Sequence, residues 1–196
     1  MLIIGCDEAG RGALAGPIVA AAIILGPQAG KQIPHWYVDI KDSKQLSPVK
    51  RFTLEPLLRR YALAWGIGAV SSAVIDRINI HQANLLAMRR AVASVQQKLS
   101  HATYGKLCVL VDGRFTIPNL DIAQEAVVHG DSTVFAISAA SILAKTYRDR
   151  LMTRLAKQFP QYGFDRHKGY GTANHLESLR QHGVSTAHRQ SFCHID

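Results

Sequence analysis

The chain has 196 residues, of which 47% are hydrophobic and 19% charged, and it carries a formal net charge of +9. This length supports one sizeable core, and this composition excludes a disordered chain. No apolar run reaches the length of a membrane span, and the opening residues MLIIGCDEAG lack the basic and small-residue features of a secretory leader, so a cytoplasmic location is expected.

Taken in chain order, residues 2–8 read as a strand and residues 17–25, PIVAAAIIL, as a second one entered through a glycine loop. Ser47 followed by Pro48 is a helix start, with the helix running toward Arg60 and Pro56 expected to kink or shorten it. Residues 61–70, rich in small side chains, read as a third strand. Asn79 can cap a long helix whose apolar stripe is Leu85, Met88, Val92, Val95 and Leu99. Residues 106–113 form a short buried strand ending in an acid, and 122–130 another strand. A helix is expected from Asp131 to about Phe159, followed by a basic loop and a short helix. The sequence holds no internal repeat and no interdomain linker. This order predicts an α/β fold with a mixed sheet.

The three cysteines, Cys6, Cys108 and Cys193, form no CxxC, which argues against a disulfide framework or a zinc cage. Cys6 and Cys108 are expected as small core residues. The histidines show no HExxH, and most are expected on the surface or in loops. The positive charge favours a polyanionic partner, although an ordinary basic surface gives the same sum.

Four acids stand out by position. Asp7 and Glu8 close the first strand, Asp112 closes a later one, and Asp131 sits between a strand and a helix. Active sites of such sheets lie at strand ends near a topological switch point. Converging carboxylates repel one another unless a cation joins them, and oxygen-only ligands suit Mg²⁺ or Mn²⁺. Two such ions hold both the attacking and the leaving oxygen of a phosphoryl displacement. Each acid has a plainer alternative: Asp112 before Gly113 fits a turn, and Asp131 before Ser132 fits a helix cap. Asp7 and Glu8 are harder to explain structurally, but neighbours in a flat strand point to opposite faces, so twist, or the strand's end, must bring both toward one site. Ser138, Ser141, Lys145 and Asp149 share a helical stripe, on which Lys145 and Asp149 can pair.

DEAGRGALAGP (7–17), DSKQLS (42–47), LVDG (110–113), GDS (130–132) leading into SAASILAKTYRD (138–149), and FPQYGFDRHKGYGT (159–172) together resemble the bacterial type 2 ribonuclease H family, ribonuclease HII, in order and over nearly the whole chain. The resemblance implies a ribonuclease H-like fold with a central mixed five-stranded sheet flanked by helices. It divides the chain into a catalytic part, 1–150, and a small helical C-terminal extension, 151–196, packed as one unit. It implies cutting of the RNA strand of RNA–DNA hybrids, and nicking of DNA on the 5′ side of embedded ribonucleotides by a two-ion mechanism with Mn²⁺ or Mg²⁺. Position by position, Asp7, Glu8, Asp112 and Asp131 resemble the family's metal-binding acids, the first three being the core set. Gly10, Arg11 and Gly12 resemble its loop that reads the 2′-hydroxyl, the feature that distinguishes RNA from DNA. Tyr170 resembles its tyrosine that packs on the following deoxyribose. Lys44 and Lys168 are candidates for phosphate contacts, and Ser141 and Lys145 for facing the nucleic acid; Asp149 is expected to be structural. Two departures are Ala13, where a proline is common, and Pro56. The short tail shows no sliding-clamp motif, so no such partner is expected, and the protein is expected to be a monomer. Other two-metal nucleases of this fold class, a non-catalytic nucleic-acid binder and a metal-dependent phosphatase are the rival readings.

Overall fold

The computed structural model describes residues 1–26, 36, 40, 46–100 and 106–193. Five strands form one sheet in the order β3-β2-β1-β4-β5: β1 Leu2–Ala9, β2 Ile18–Leu25, β3 Ala62–Val70, β4 Leu107–Asp112 and β5 Ala123–Val127. β1–β2 and β2–β3 pair antiparallel, whereas β1–β4 and β4–β5 are parallel. β1 is thus the strand at which the sheet changes from antiparallel to parallel.

Each face of the sheet is closed by a long helix. On one side, α2 (Ser72–Gln96) packs Met88, Val92 and Val95 against Ile4, Cys6, Ala20 and Val109. On the other, α4 (Phe135–Gln158) and α1 (Pro48–Tyr61) pack Ala139, Ile142, Leu54 and Leu58 against Ala21 and Ile23. Burial of a Leu or Ile side chain is worth about 1.5–3 kcal/mol, so these two layers hold the sheet. β2 is apolar at every position because both of its faces are covered.

The helix signals act largely as expected. The Ser47 hydroxyl accepts the Lys50 N–H at the start of α1. Pro56 lies inside α1 without shortening it, since a proline there removes one N–H donor and the flanking turns remain packed. Asn79 has a left-handed φ of 64° inside α2, and its side chain accepts the Gln82 N–H, capping the part of the helix that carries the apolar stripe. Leu99 lies beyond the helix end but still packs against that core. The expected single helix from Asp131 is instead two: α3 (Gly130–Thr133) and α4, separated by Val134 in extended conformation. Of the cysteines, Cys6 is buried in β1, while Cys108 in β4 is half-buried.

Beyond α4, a 3₁₀ turn (Pro160–Tyr162), α5 (Phe164–His167) and α6 (Ala173–His182) pack Tyr162, Phe164 and Leu179 around Met152 and Ala15. α4 runs through residue 150 unbroken, so both parts of the chain share it. Two histidines are exceptions to the surface expectation. His175 and His188 are buried, joined by their Nε2 atoms at 3.1 Å, because neutral rings with satisfied nitrogens pack as aromatic core. Among the described residues, no helix is long and apolar enough to cross a membrane.

Candidate active site

Strand alternation decides which way the first two acids face. Ile4 and Cys6 belong to the core under α2, whereas Gly5 meets α4 and Ala9 lies in the core beneath it. By the same period of two, Asp7 faces α4 and Glu8 faces α2. Continuing the β1–β4 register by one residue beyond Cys6↔Val111 sets Asp112 beside Asp7. Asp131 is buried in the first turn of α3, and its N–H donates to Asp112 Oδ1 at 3.2 Å. One carboxylate oxygen from each of Asp7, Asp112 and Asp131 lies within 4.8 Å of the other two. Glu8 stands outside this trio, with Oε1 3.9 Å from Arg11 Nη1 and the Asn84 amide beside it. Twist therefore does not put Glu8 and Asp7 on one face; the two acids approach the strand end from opposite sides. The cap position of α3 belongs to His129, so capping does not account for Asp131.

Burial pushes the Asp7 carboxyl well above the usual carboxylate range. The charges of Glu8 and Asp112 push the same way, while the Ser141 hydroxyl and Lys145 pull it back. Burial also raises Glu8, opposed by Arg11 and reinforced by Asp112. Ser141 was expected to face the nucleic acid, but it is fully buried, because α4 lies against β1 at this point. Its hydroxyl serves Asp7 and accepts Lys145 Nζ at 2.7 Å. Lys145 therefore does not pair with Asp149, which lies 3.6 Å from Arg51 instead.

Lys145 also lines a pocket of about 300 Å³ with Arg51, Arg166, Lys168 and Tyr170. The Lys168 ammonium donates to the Asp165 carbonyl. Tyr170 is 43% exposed, with the Arg148 guanidinium 5.3 Å from its ring centre. The Gly169 carbonyl accepts the N–H groups of Leu14 and Ala15, which ties the Lys168–Tyr170 turn to the end of the Gly10–Gly12 loop. Arg11 and Gly12 are exposed, and a Cβ on Gly12 would meet nothing within 4 Å. Lys44 lies outside the described residues. Sequence reasoning singled out none of Arg51, Arg166 and the buried Arg148 and Arg189, since an arginine in a loop or helix ordinarily reads as solvated surface.

A sheet of this order with acids gathered where β1 meets β4 is the frame of a metal-dependent nuclease with the ribonuclease H-like fold. Solved structures of similar fold include two that cover nearly the whole chain. The ribonuclease HII of a PCNA complex from Archaeoglobus fulgidus is 22% identical, with a TM-score of 0.75 covering 98% of this chain and 96% of that one. Bst-RNase HIII in complex with Mn²⁺ is 18% identical, with a TM-score of 0.80 covering 100% and 68%. The chain belongs to the ribonuclease HII family: the family's model, Ribonuclease HII, matches residues 4–195. The ribonuclease HII of Dechloromonas aromatica is 51% identical over 97% of this chain and 90% of its own length. The protein is accordingly a metal-dependent endoribonuclease, a hydrolase acting on RNA–DNA hybrids.

Proposed function

We propose that the enzyme nicks DNA on the 5′ side of an embedded ribonucleotide, besides cutting the RNA strand of hybrids, and that it leaves 3′-hydroxyl and 5′-phosphate ends. The observation carrying this reading is the Gly10–Gly12 loop, exposed at Arg11 and Gly12, shortly after the two acids of β1 and tied through Leu14, Ala15 and Gly169 to the exposed Tyr170. A reader of one sugar and a platform for the next thus stand side by side.

The donor set fits hard divalent ions. It offers oxygens only, three of them within 4.8 Å, and burial with like charges leaves Asp7 short of a counter-cation. Asp7, Asp112 and Asp131, with Glu8 across the strand end, would hold two Mg²⁺ or Mn²⁺ ions. Such a pair activates water at neutral pH and stabilises the leaving oxygen. Ser141 and Lys145 hold Asp7 in place from α4. Arg51, Lys145, Arg166 and Lys168 supply cations along the adjoining pocket, where backbone phosphates gain most from them. Lys44 is a further phosphate contact in this reading. Amides of the Gly10–Gly12 loop bond the 2′-hydroxyl, and Tyr170 packs on the deoxyribose that follows. A site built for a hydroxyl strongly rejects the sugar lacking it, because its polar groups are then left unpaired. The enzyme works on this substrate as a monomer in the cytoplasm.

End-labelled duplexes of three kinds test the proposal: all-DNA, one ribonucleotide, and a continuous RNA strand, each with Mg²⁺ or Mn²⁺. The single ribonucleotide should be nicked on its 5′ side, and all-DNA should bind but stay intact. Asp7→Asn and Asp112→Asn should lower turnover by about a thousandfold or more, as expected when a ligand of the reacting centre is lost, while duplex binding persists. Efficient cutting of all-DNA duplex, or a cyclic phosphate product, would overturn the reading.

A further inference from the structure

Arg189 precedes the last helical turn of the described chain and is fully buried. Its side chain forms no ion pair among the described residues. Its nitrogens donate instead to three backbone carbonyls: Nε to Gly16 at 3.1 Å, Nη1 to Arg11 at 2.9 Å and Nη2 to Gly10 at 2.7 Å. Its backbone N–H donates to Leu14. The last residues of the described chain thus grip the loop that follows β1. Burial and the nearby Arg148 pull the guanidinium down to about 10, a cost that a neutral structural link would avoid.

The carbonyls that Arg189 takes determine where the neighbouring N–H groups point. In a trans peptide, C=O and N–H project to opposite sides, and no peptide here is cis. Drawing the Gly10 carbonyl inward turns the Arg11 N–H outward. Drawing the Arg11 carbonyl inward does the same for the Gly12 N–H. Both residues are exposed, and neither N–H has a partner among the described residues. Ala13 strengthens the arrangement: its N–H donates to the Gly10 carbonyl at 3.4 Å, a bond that proline could not make. Lysine could not replace the arginine, since an ammonium is a point donor, whereas the planar fork spans three acceptors at once.

We infer that Arg189 is a positioning residue for ribonucleotide selection, aiming the N–H groups of Arg11 and Gly12 as a two-donor fork at a sugar hydroxyl. The inference rests on the proposed role of the Gly10–Gly12 loop. The fork donates to a 2′-oxygen and finds no acceptor on a deoxyribose, so Arg189 governs the difference between the two sugars and not the overall affinity for duplex.

The test compares binding of two duplexes that differ by one 2′-hydroxyl, in an Asp112→Asn background that blocks cutting. With Arg189 present, the ribonucleotide duplex should bind more tightly. Arg189→Lys should leave the all-DNA Kd within about twofold and reduce the preference by about tenfold, the scale of two weakened hydrogen bonds. A folded variant that keeps its preference, or loses affinity equally for both duplexes, overturns the inference. No preference with Arg189 intact overturns the loop reading beneath it. Should Arg189→Lys fail to fold, hydrogen exchange on the Arg189-intact protein decides. The Arg11 and Gly12 amides should exchange freely in the free protein and be protected by the ribonucleotide duplex alone. Protection in the free protein, or equal protection by both duplexes, counts against it.

Discussion

Asp7 is the residue at which stability and function oppose each other. Without a divalent ion its carboxylate sits buried beside Glu8 and Asp112, which raises its pKa. A carboxyl raised on folding holds its proton at pH values where the unfolded chain has lost it. Its favourable contribution is therefore complete below the ordinary carboxylate range and is lost as pH rises through the raised value. Asp7→Asn removes that loss. In chelator at pH 7.5 the variant should melt above the wild type by a few °C, since each kcal/mol moves the midpoint by about 2–4 °C in a chain of this size. The gap should shrink toward pH 4, and equal midpoints at pH 7.5 would contradict the account. Asp7 and Asp112 were legible in the sequence because acids at strand ends are costly without a purpose, whereas Asp131, between a strand and a helix, read equally as a cap and was carried by the family resemblance. Alternation also warned that Glu8 and Asp7 face apart. Arg189 and Arg148 were not legible: their partners are carbonyls distant in sequence, and carbonyls carry no residue signature.

At the scale of elements, the site depends on how closely α4 lies on β1. Gly5 is the point of contact: a Cβ there would stand 2.1 Å from the carbonyl carbon and oxygen of Ala136. Backbone cannot yield as a flexible side chain can, so Gly5→Ala must push the helix off the strand. Overpacking of this kind costs about 1–3 kcal/mol, and the midpoint should fall by roughly 2–12 °C. The same shift carries Ser141 and Lys145 away from Asp7, so turnover should fall at temperatures where the variant is fully folded. A variant that melts lower but turns over normally would separate the helix contact from the site. Element types were readable from periodicity and from Ser47, Pro48 and Asn79. The break at Val134 was not, because GDSTVFAIS (130–138) carries neither glycine nor proline at the break, where the valine is extended.

At the scale of the molecule, the segment after α4 joins the rest through shared core and through two neutral histidines. Ser185 N–H donates to His188 Nδ1, which leaves the His188 proton on Nε2, pointing at His175 Nε2. His175 must then carry its own proton on Nδ1, donated to the Tyr170 carbonyl at 2.9 Å. A second proton on His175 would set its Nε2–H against that of His188 at 3.1 Å, and one on His188 would set an Nδ1–H against the Ser185 N–H at 2.9 Å. The groups packed around the pair are His167, stacked on His175 at 4.4 Å, with Phe164 and Tyr162; no carboxylate is among these ring contacts. Burial, then the charge of His175, holds His188 down to about 4, and burial lowers His175. For a base lowered on folding, the unfolded chain binds protons first. Stability should therefore be full above the ordinary histidine value of about 6.5, decline as pH falls toward about 4, and level off below it. Shared packing through Ala15, Met152 and Tyr162 predicts a single unfolding transition at pH 7. His188→Gln should melt lower than the wild type at pH 7, having lost a buried ring. Its midpoint should fall less steeply between pH 6.5 and 4, so that the two curves converge. Because the remaining carboxylates titrate in both proteins, the difference between the curves isolates the histidine contribution, and parallel curves would show that His188 does not couple protonation to the fold.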